Sequence, residues 1–251
     1  MIATQHVPGR FCWAVLATTD AVAAPAFYSA VLGCRSVDGP PGSDVTCSAL
    51  LNKNEITAAV FCDRSSPVVE WQSYIRVERV DETLELILKH GGKVLEGPND
   101  NSPGGRAAMV ADPTGAPFHI WEFGANFGYS LSKEPGSAFW HELRTNELDA
   151  AIAFYSAVFR YTHKVSESPF HYVELLLDGT PVAGMMKIRP GMVGKAPHWY
   201  IYFSVANCAA AVEAAVLHGG SVALEPREVA GIGYIAGIVD GQGAAFGIAG
   251  H

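Results

Sequence analysis

A chain of 251 residues allows one large domain or two of ordinary size. With 49% hydrophobic and 17% charged residues it can bury a sizeable core, and a net charge of −8 argues against nucleic acid or an anionic membrane as main partner. No apolar run is long enough to span a bilayer, and the opening MIATQHVPGR lacks the basic and apolar regions of a leader, so the chain reads as cytoplasmic.

In chain order, the apolar run 11–17 predicts a strand. Phe27 and Val31, four apart, share one face of the helix expected next, and Pro25 predicts that this helix starts late or is distorted. TCSALLN and EITAAVF read as strands joined by a hairpin at Lys53 and Asn54. A strand at 74–77 and a helix at 81–90, stopped by Gly91 and Gly92, come next, then strands at 107–110 and 118–123. The second half repeats this order, with a strand at 139–143, a helix carrying Phe154 and Val158, and the runs FHYVELLLD and TPVAGMMKI around Gly179. Each half therefore reads as β-α-β-β followed by β-α-β-β or β-α-β-β-β.

The repetition extends to individual residues. AFYSAV stands at 26–31 and again at 153–158. Laid over each other on it, the halves match Trp13 with Trp140, Trp71 with Trp199, the His-Gly-Gly at 90–92 with that at 218–220, and Asp112 with Asp240. The offset stays at about 126–128 throughout, which identifies a tandem duplication. The Gly-, Ser- and Pro-rich stretch 123–137 supplies the boundary, giving a first domain at 1–125, a linker at 126–136 and a second domain at 137–251. The five cysteines, Cys12, Cys34, Cys47, Cys62 and Cys208, include no C-x-x-C pair and read as reduced thiols, four of them in apolar surroundings.

The "FY…G" at the end of the first helix, the HGG after the second and the "D-P-x-G-x-x-F" before the last strand resemble the vicinal oxygen chelate superfamily of glyoxalases, bleomycin-resistance proteins and extradiol dioxygenases. The tandem form is similar to the actinobacterial two-domain glyoxalase-like proteins often labelled hydroxylases. The resemblance implies an α+β fold: in each domain two paired βαβββ modules form a curved mixed sheet, a cup, with helices outside. It also implies metal ligands on the first and last strand of each module. Those positions fall on Trp13 and Trp140, Ala58–Ala59 and Gly184–Met185, Gln72 and Tyr200, and His119 and Gly247. Only His119 suits a metal, so the ligand set looks dismantled.

His119 is therefore the first catalytic candidate, as an acid, base or hydrogen-bond donor facing the cup. Strand alternation sends Glu142 to the cup beside Trp140 and His141 away from it, making Glu142 the second candidate and an acid–base partner for His119 if the domains share a site. Substrate-binding candidates are Trp13, Trp140, Gln72, Tyr74, Tyr200, Tyr202, Trp121 and His198, mostly aromatics able to stack on a flat ligand. His171 reads as a strand-opening residue near the cup rim, and His90 and His218 as helix caps.

No cofactor is expected. A divalent metal (iron, zinc or nickel) on His119, His198 and Glu142 is the lesser alternative. The expected function is metal-independent action on a small aromatic metabolite in the cup, a lyase, isomerase or hydroxylase-like step of the kind used in natural-product biosynthesis. The alternatives are a non-catalytic antibiotic-binding protein and a metal-dependent lyase or dioxygenase with displaced ligands. The expected partner is a small molecule, with neither nucleic acid nor membrane, and the chain acts as a monomer (a pseudo-dimer of two domains) or a homodimer. No G-x-G-x-x-G, P-loop, nucleophile elbow or H-E-x-x-H is present.

Overall fold

Four copies of one βαβββ unit run along the chain. A computed structural model describes residues 7–38, 45–63, 68–100, 104–124, 128–131, 134–166, 171–192 and 196–251. The first half carries β1 (Phe11–Thr18), α1 (Ala23–Leu32), β2 (Arg35–Asp38), β3 (Val45–Asn52), β4 (Glu55–Asp63), β5 (Glu70–Arg76), α2 (Val80–Lys89), β6 (Lys93–Asp100), β7 (Gly105–Ala111) and β8 (Pro117–Phe123). The second half carries β9 (Ala138–Arg144), α3 (Leu148–Phe159), β10 (Thr162–Val165), β11 (Val173–Leu177), β12 (Thr180–Met186), β13 (His198–Ser204), α4 (Cys208–Leu217), β14 (Ser221–Val229), β15 (Gly233–Val239) and β16 (Ala245–Gly250).

Each half builds one eight-stranded mixed sheet, in the orders β2-β3-β4-β1-β5-β8-β7-β6 and β10-β11-β12-β9-β13-β16-β15-β14. The first and last strands of each module run parallel, and the two modules join through an antiparallel pair, β1 with β5 and β9 with β13. Outer strands β2 and β6 have no further neighbour, so the sheet is open rather than a closed barrel. The short strands β2 and β10 escaped the residue-by-residue reading. They are four residues long and exposed throughout, with no apolar alternation to betray them.

Local chemistry sets the boundaries. Pro25 occupies the third position of α1, inside the first turn where a missing N–H is harmless, and Asp20 accepts from the backbone N–H groups of Val22 and Ala23. As expected from that proline, α1 starts late: α3 begins at Leu148, two positions before the residue aligned with Ala23. The hairpins β3–β4 and β11–β12 turn through Lys53–Asn54 and Asp178–Gly179, all four with positive φ, the geometry of a tight hairpin. Cys12, Cys62 and Cys208 are buried and Cys34 partly so, which leaves Cys47 as the one exposed cysteine of the five. Residues 126–127 and 132–133 of the expected linker lie outside the described residues. Its Tyr129 does not hang free: it packs against Trp13 and bonds the carbonyl of Phe11.

The helices lie on the sheet faces that turn toward each other, and the two cores there are crossed. One joins the second module of the first half to the first module of the second half, packing α2 and α3 with Ile75, Phe118, Leu143 and Leu175. The other joins the remaining two modules around α1 and α4.

AFYSAV is the hinge of this arrangement. Its helix face does not serve only its own sheet, as duplication by itself suggests, but reaches the opposite half. Phe27 abuts Gly220 and Phe154 abuts Gly92, where an added Cβ would stand 2.9 and 3.0 Å from the nearest ring carbon. The Tyr28 hydroxyl donates to Asp240 (2.9 Å) and accepts from Trp71 Nε1 (3.0 Å). Tyr155 repeats the pattern with Asp112 (3.1 Å) and Trp199 (2.9 Å). The repeated phenylalanine, tyrosine, tryptophan, glycine and aspartate are thus one set of contacts across the seam.

Tyr155→Phe keeps the ring but leaves Trp199 Nε1 without its acceptor and Asp112 short of a donor, all buried. The expected loss is about 1–3 kcal/mol of unfolding free energy, read from urea denaturation as a lower midpoint at unchanged slope.

Candidate functional site

The sheet faces turned away from the helices hold the sequence candidates, in three groups. On the first half's inner face, β1, β5 and β8 bring Trp13, Tyr74 and Trp121 into one cluster with Val15 and Ala59. The Tyr74 and His119 rings stack at 4.2 Å and 7° from parallel, and Trp121 Nε1 donates to the carbonyl of Gly104 (2.8 Å). Trp13, at 9% exposure, and Trp121, at 6%, are packed among their neighbours. This face is filled by its own aromatics and by Tyr129.

The second group opens where the ends of β5 and β8 meet the start of β13. Glu70, Gln72, Met109 and His119 line a cleft there together with His198 of the second half. The Nε2 of His119 is buried without a hydrogen-bond partner, and burial lowers its pKa to about 4. Burial likewise lowers the pKa of His198, whose Nδ1 lies 2.8 Å from the carbonyl of Ala196. Burial raises the Glu70 carboxyl against an opposing bond from Gln72. Gln72, His119 and His198 are candidates from the sequence. Glu70 was missed although it aligns with His198 at the head of the matching strand.

The third group is on the second half's inner face. Trp140, Glu142 and Arg144 alternate down one side of β9, while His141 turns to the seam, as expected, and meets Ser73 (2.9 Å) and the ring of Phe11 (4.1 Å). Glu142 does not pair with His119, which belongs to the other sheet; its Oε1 accepts from Arg144 Nε at 2.9 Å, both side chains almost fully buried. Arg144 also donates to the Tyr202 hydroxyl (3.2 Å) and lies 3.5 Å above the Tyr200 ring. Burial pulls the Arg144 pKa down, but the charge of Glu142 overrides it and the net shift is upward. Trp140 Nε1 donates to Tyr172 (2.7 Å). The strand expected at 139–143 ended one residue before Arg144, which is why the cation was missed.

The ligand positions implied by the resemblance do not fit a divalent ion. In the second half a Cβ on Gly184 would overlap the Tyr172 hydroxyl, and one on Gly247 would overlap the Tyr202 ring, so aromatic groups fill the space donors would need. In the first half His119 and Gln72 stand with apolar Trp13 and Ala59. Among the described residues no three His, Cys, Asp or Glu side chains are close enough to share an ion, so His119, His198 and Glu142 are not gathered into one set.

Two mixed sheets of paired βαβββ units with this split inner surface define the glyoxalase and extradiol-dioxygenase class of fold. Residues 10–120 match the family described as the Glyoxalase/Bleomycin resistance protein/Dioxygenase superfamily. The chain is 34% identical over 252 residues to CFP32 of Mycobacterium tuberculosis, a protein named as a glyoxylase, covering 98% of this chain and 96% of that one. It is 30% identical over 267 residues to the anthracycline biosynthesis protein DnrV of Streptomyces peucetius, covering 98% and 94%. Among solved structures it resembles the Mn(II)-bound glyoxalase of Novosphingobium aromaticivorans (TM-score 0.67, 12% identity, 97% of this chain and 82% of that one). It also resembles a catechol 2,3-dioxygenase (TM-score 0.64, 12% identity, 98% and 89%). This chain belongs to the Glyoxalase/Bleomycin resistance protein/Dioxygenase superfamily. Among the described residues no helix is long and apolar enough to cross a membrane.

His119 and His141, the two most deeply buried of the depressed histidines, carry a pH signature. An unfolded histidine takes up its proton near pH 6.5, while buried His119 and His141 resist until about 4 and about 3. Their contribution to stability is complete above pH 6.5 and declines as the pH falls toward 4. The melting temperature should drop over that window, and His119→Gln should flatten the slope.

Proposed function

We propose that the cleft of Glu70, Gln72, His119 and His198, with a free volume of about 20 Å³, takes the carbonyl edge of a small, flat metabolite whose rings lie outside it, and that the protein catalyses a metal-independent proton transfer, an isomerase- or lyase-type step. The observation that carries the reading is the buried, unpartnered Nε2 of His119 in that cleft. Buried polar atoms are nearly always hydrogen-bonded, so an orphan in a cleft marks a place for a ligand atom.

The pKa values divide the roles. A histidine held near 4 is a poor base at neutral pH but a good neutral hydrogen-bond partner, suited to polarising a substrate carbonyl. Glu70, whose pKa is raised, is better placed to move the proton. Glu142 supports the second inner face instead of this cleft. The donor set favours chemistry without a metal, because the ligand positions of the family carry aromatic, apolar and amide side chains. The relative named for anthracycline biosynthesis supports a flat ligand, since anthracyclines are fused-ring compounds.

A second reading, binding without turnover, is favoured by the same low pKa of His119. Solvent-deuterium exchange next to the carbonyl separates the two. In a panel of flat aromatic carbonyl compounds, a ligand that raises the melting temperature of the wild type should not do so in His119→Gln. Glu70→Gln should lower deuterium incorporation by about 10²–10⁴-fold. A ligand that binds through His119 with no exchange in the wild type assigns the protein to the binding class. Equal stabilisation of wild type and His119→Gln removes the cleft from consideration.

A further inference from the structure

Two arginines stand directly opposite each other where β5 ends and β1 begins. The antiparallel register that pairs Phe11 with Ile75 sets Arg10 against Arg76. The backbone closes the pair: the Arg76 N–H donates to the Arg10 carbonyl (2.9 Å) and the Gly9 N–H to the Arg76 carbonyl (2.8 Å). Both side chains are partly exposed. Among the described residues neither guanidinium makes a hydrogen bond or an ion pair; each Nε is buried without a partner, and the terminal nitrogens are left open to solvent. The nearest carboxylates along the chain and on the adjoining strand do not neutralise them. Glu78 is exposed and in no ion pair among the described residues, and Glu122 is taken up by Arg79 (3.4 Å) and the N–H of Val80 (3.0 Å). No acid stands before Asp20, or from Phe123 to Lys133, the segment whose Tyr129 is bonded to the start of β1.

We infer that Arg10 and Arg76 form a binding site for a doubly charged oxyanion, the phosphate group of a small molecule or the free ion. Three observations carry this. First, the second half is an internal control. The residues aligned with the two arginines are Ser137 and Ser204, joined by the same backbone bonds, Ser204 N–H to the Ser137 carbonyl (2.9 Å) and Gly136 N–H to the Ser204 carbonyl (2.7 Å). The fold therefore requires a cation at neither place. Second, like charges directly opposite on paired strands oppose folding. In a chain of net charge −8, two arginines left facing each other without a carboxylate mark a place for an anion from outside. Third, both arginines are held in position. Arg76 Cζ lies 5.1 Å from the centroid of the Phe123 ring. Phenols pin the residues on either side of Arg10, Tyr161 of the second half on the Gly9 carbonyl and Tyr129 on the Phe11 carbonyl.

The two forks select the ligand. Each guanidinium can give parallel N–H bonds to two oxygens of one phosphate, and two positive charges balance a dianion where a carboxylate would balance only one. The site lies at the opposite end of β5 from Glu70, about 20 Å along the strand. It is thus separate from the cleft that holds His119, and neither proposal depends on the other.

Titration calorimetry with phenyl phosphate, inorganic phosphate and benzoate tests it, at fixed ionic strength and about pH 8, where a phosphate monoester is doubly charged. The wild type should bind phenyl phosphate at a single site, about tenfold or more tightly than benzoate. Arg10→Ser and Arg76→Ser, which copy the second half, should each weaken phenyl phosphate by about tenfold or more. Arg35→Ser removes an exposed arginine elsewhere and should leave the affinity unchanged. Inorganic phosphate separates the two sources: affinity at least equal to that of phenyl phosphate assigns the free ion, weaker affinity assigns an aryl phosphate, and either supports the site. Melting curves establish that each variant is folded, and where one of the pair is not, the other decides. Absence of phosphate binding by the wild type, equal binding of benzoate, the same loss in Arg35→Ser, or unchanged affinity in folded Arg10→Ser or Arg76→Ser would each overturn the inference.

Discussion

Two buried hydroxyls hold the molecule together across its seam, Tyr28 on Asp240 and Tyr155 on Asp112. Each hydroxyl both donates to a carboxylate and accepts from an indole, so both of its hydrogen-bonding functions are met by protein groups. The carboxylates are engaged as well. Asp112 accepts from the backbone N–H of Thr114 and Ala116, and Asp240 from those of Gln242, Gly243 and Ala244. Burial raises Tyr28 and Tyr155 well above the usual phenol range, which keeps both protonated and able to donate. The "D-x-x-G" turns before β8 and β16 are thus fixed by the opposite half, and β8 carries His119 to its cleft.

This dependence divides the molecule into a repeated interior and an unrepeated surface. Residues that match between the halves cluster on the seam: Phe27 and Phe154, Trp71 and Trp199, Asp112 and Asp240. The inner faces differ. The first packs Trp13, Trp121 and Tyr129 into a solid layer, and its polar chemistry is displaced to the edge, at His119. The second keeps a charged pair under its aromatics. Among the described residues neither half gathers a full donor set at the positions the resemblance gives to a metal, and the two fill those positions differently.

The architecture was legible because it rests on periodic and repeated signals. The hairpin at Lys53–Asn54, the glycine stops after α2 and α4 and the face assignments of His141 and Glu142 all follow from local backbone geometry. Three kinds of information were not local. The role of AFYSAV was hidden because a helix face shows what is apolar, not which sheet it meets. Arg144 was hidden by one residue of strand length. Tyr129 was hidden because a Gly- and Ser-rich context reads as linker even where an aromatic in it finds a hydrophobic surface. The convergence of Glu70, His119 and His198 depends on how two distant segments dock, which no spacing along the chain encodes.

The crossed cores have a kinetic side. Tyr28 and Asp240 are 212 positions apart, and the core around α1 is completed by α4, β13, β15 and β16 of the second half. A chain emerging from the ribosome completes its first sheet long before those partners exist. Until then Phe27, Trp71, Phe118 and Ile120 face water, or each other in arrangements that must later be undone. Long-range pairing of this kind is slow to form and exposes the nascent chain to association with its neighbours. The same tandem arrangement limits that exposure: the missing partner is tethered to the same polypeptide, at an effective concentration a free second copy would not match.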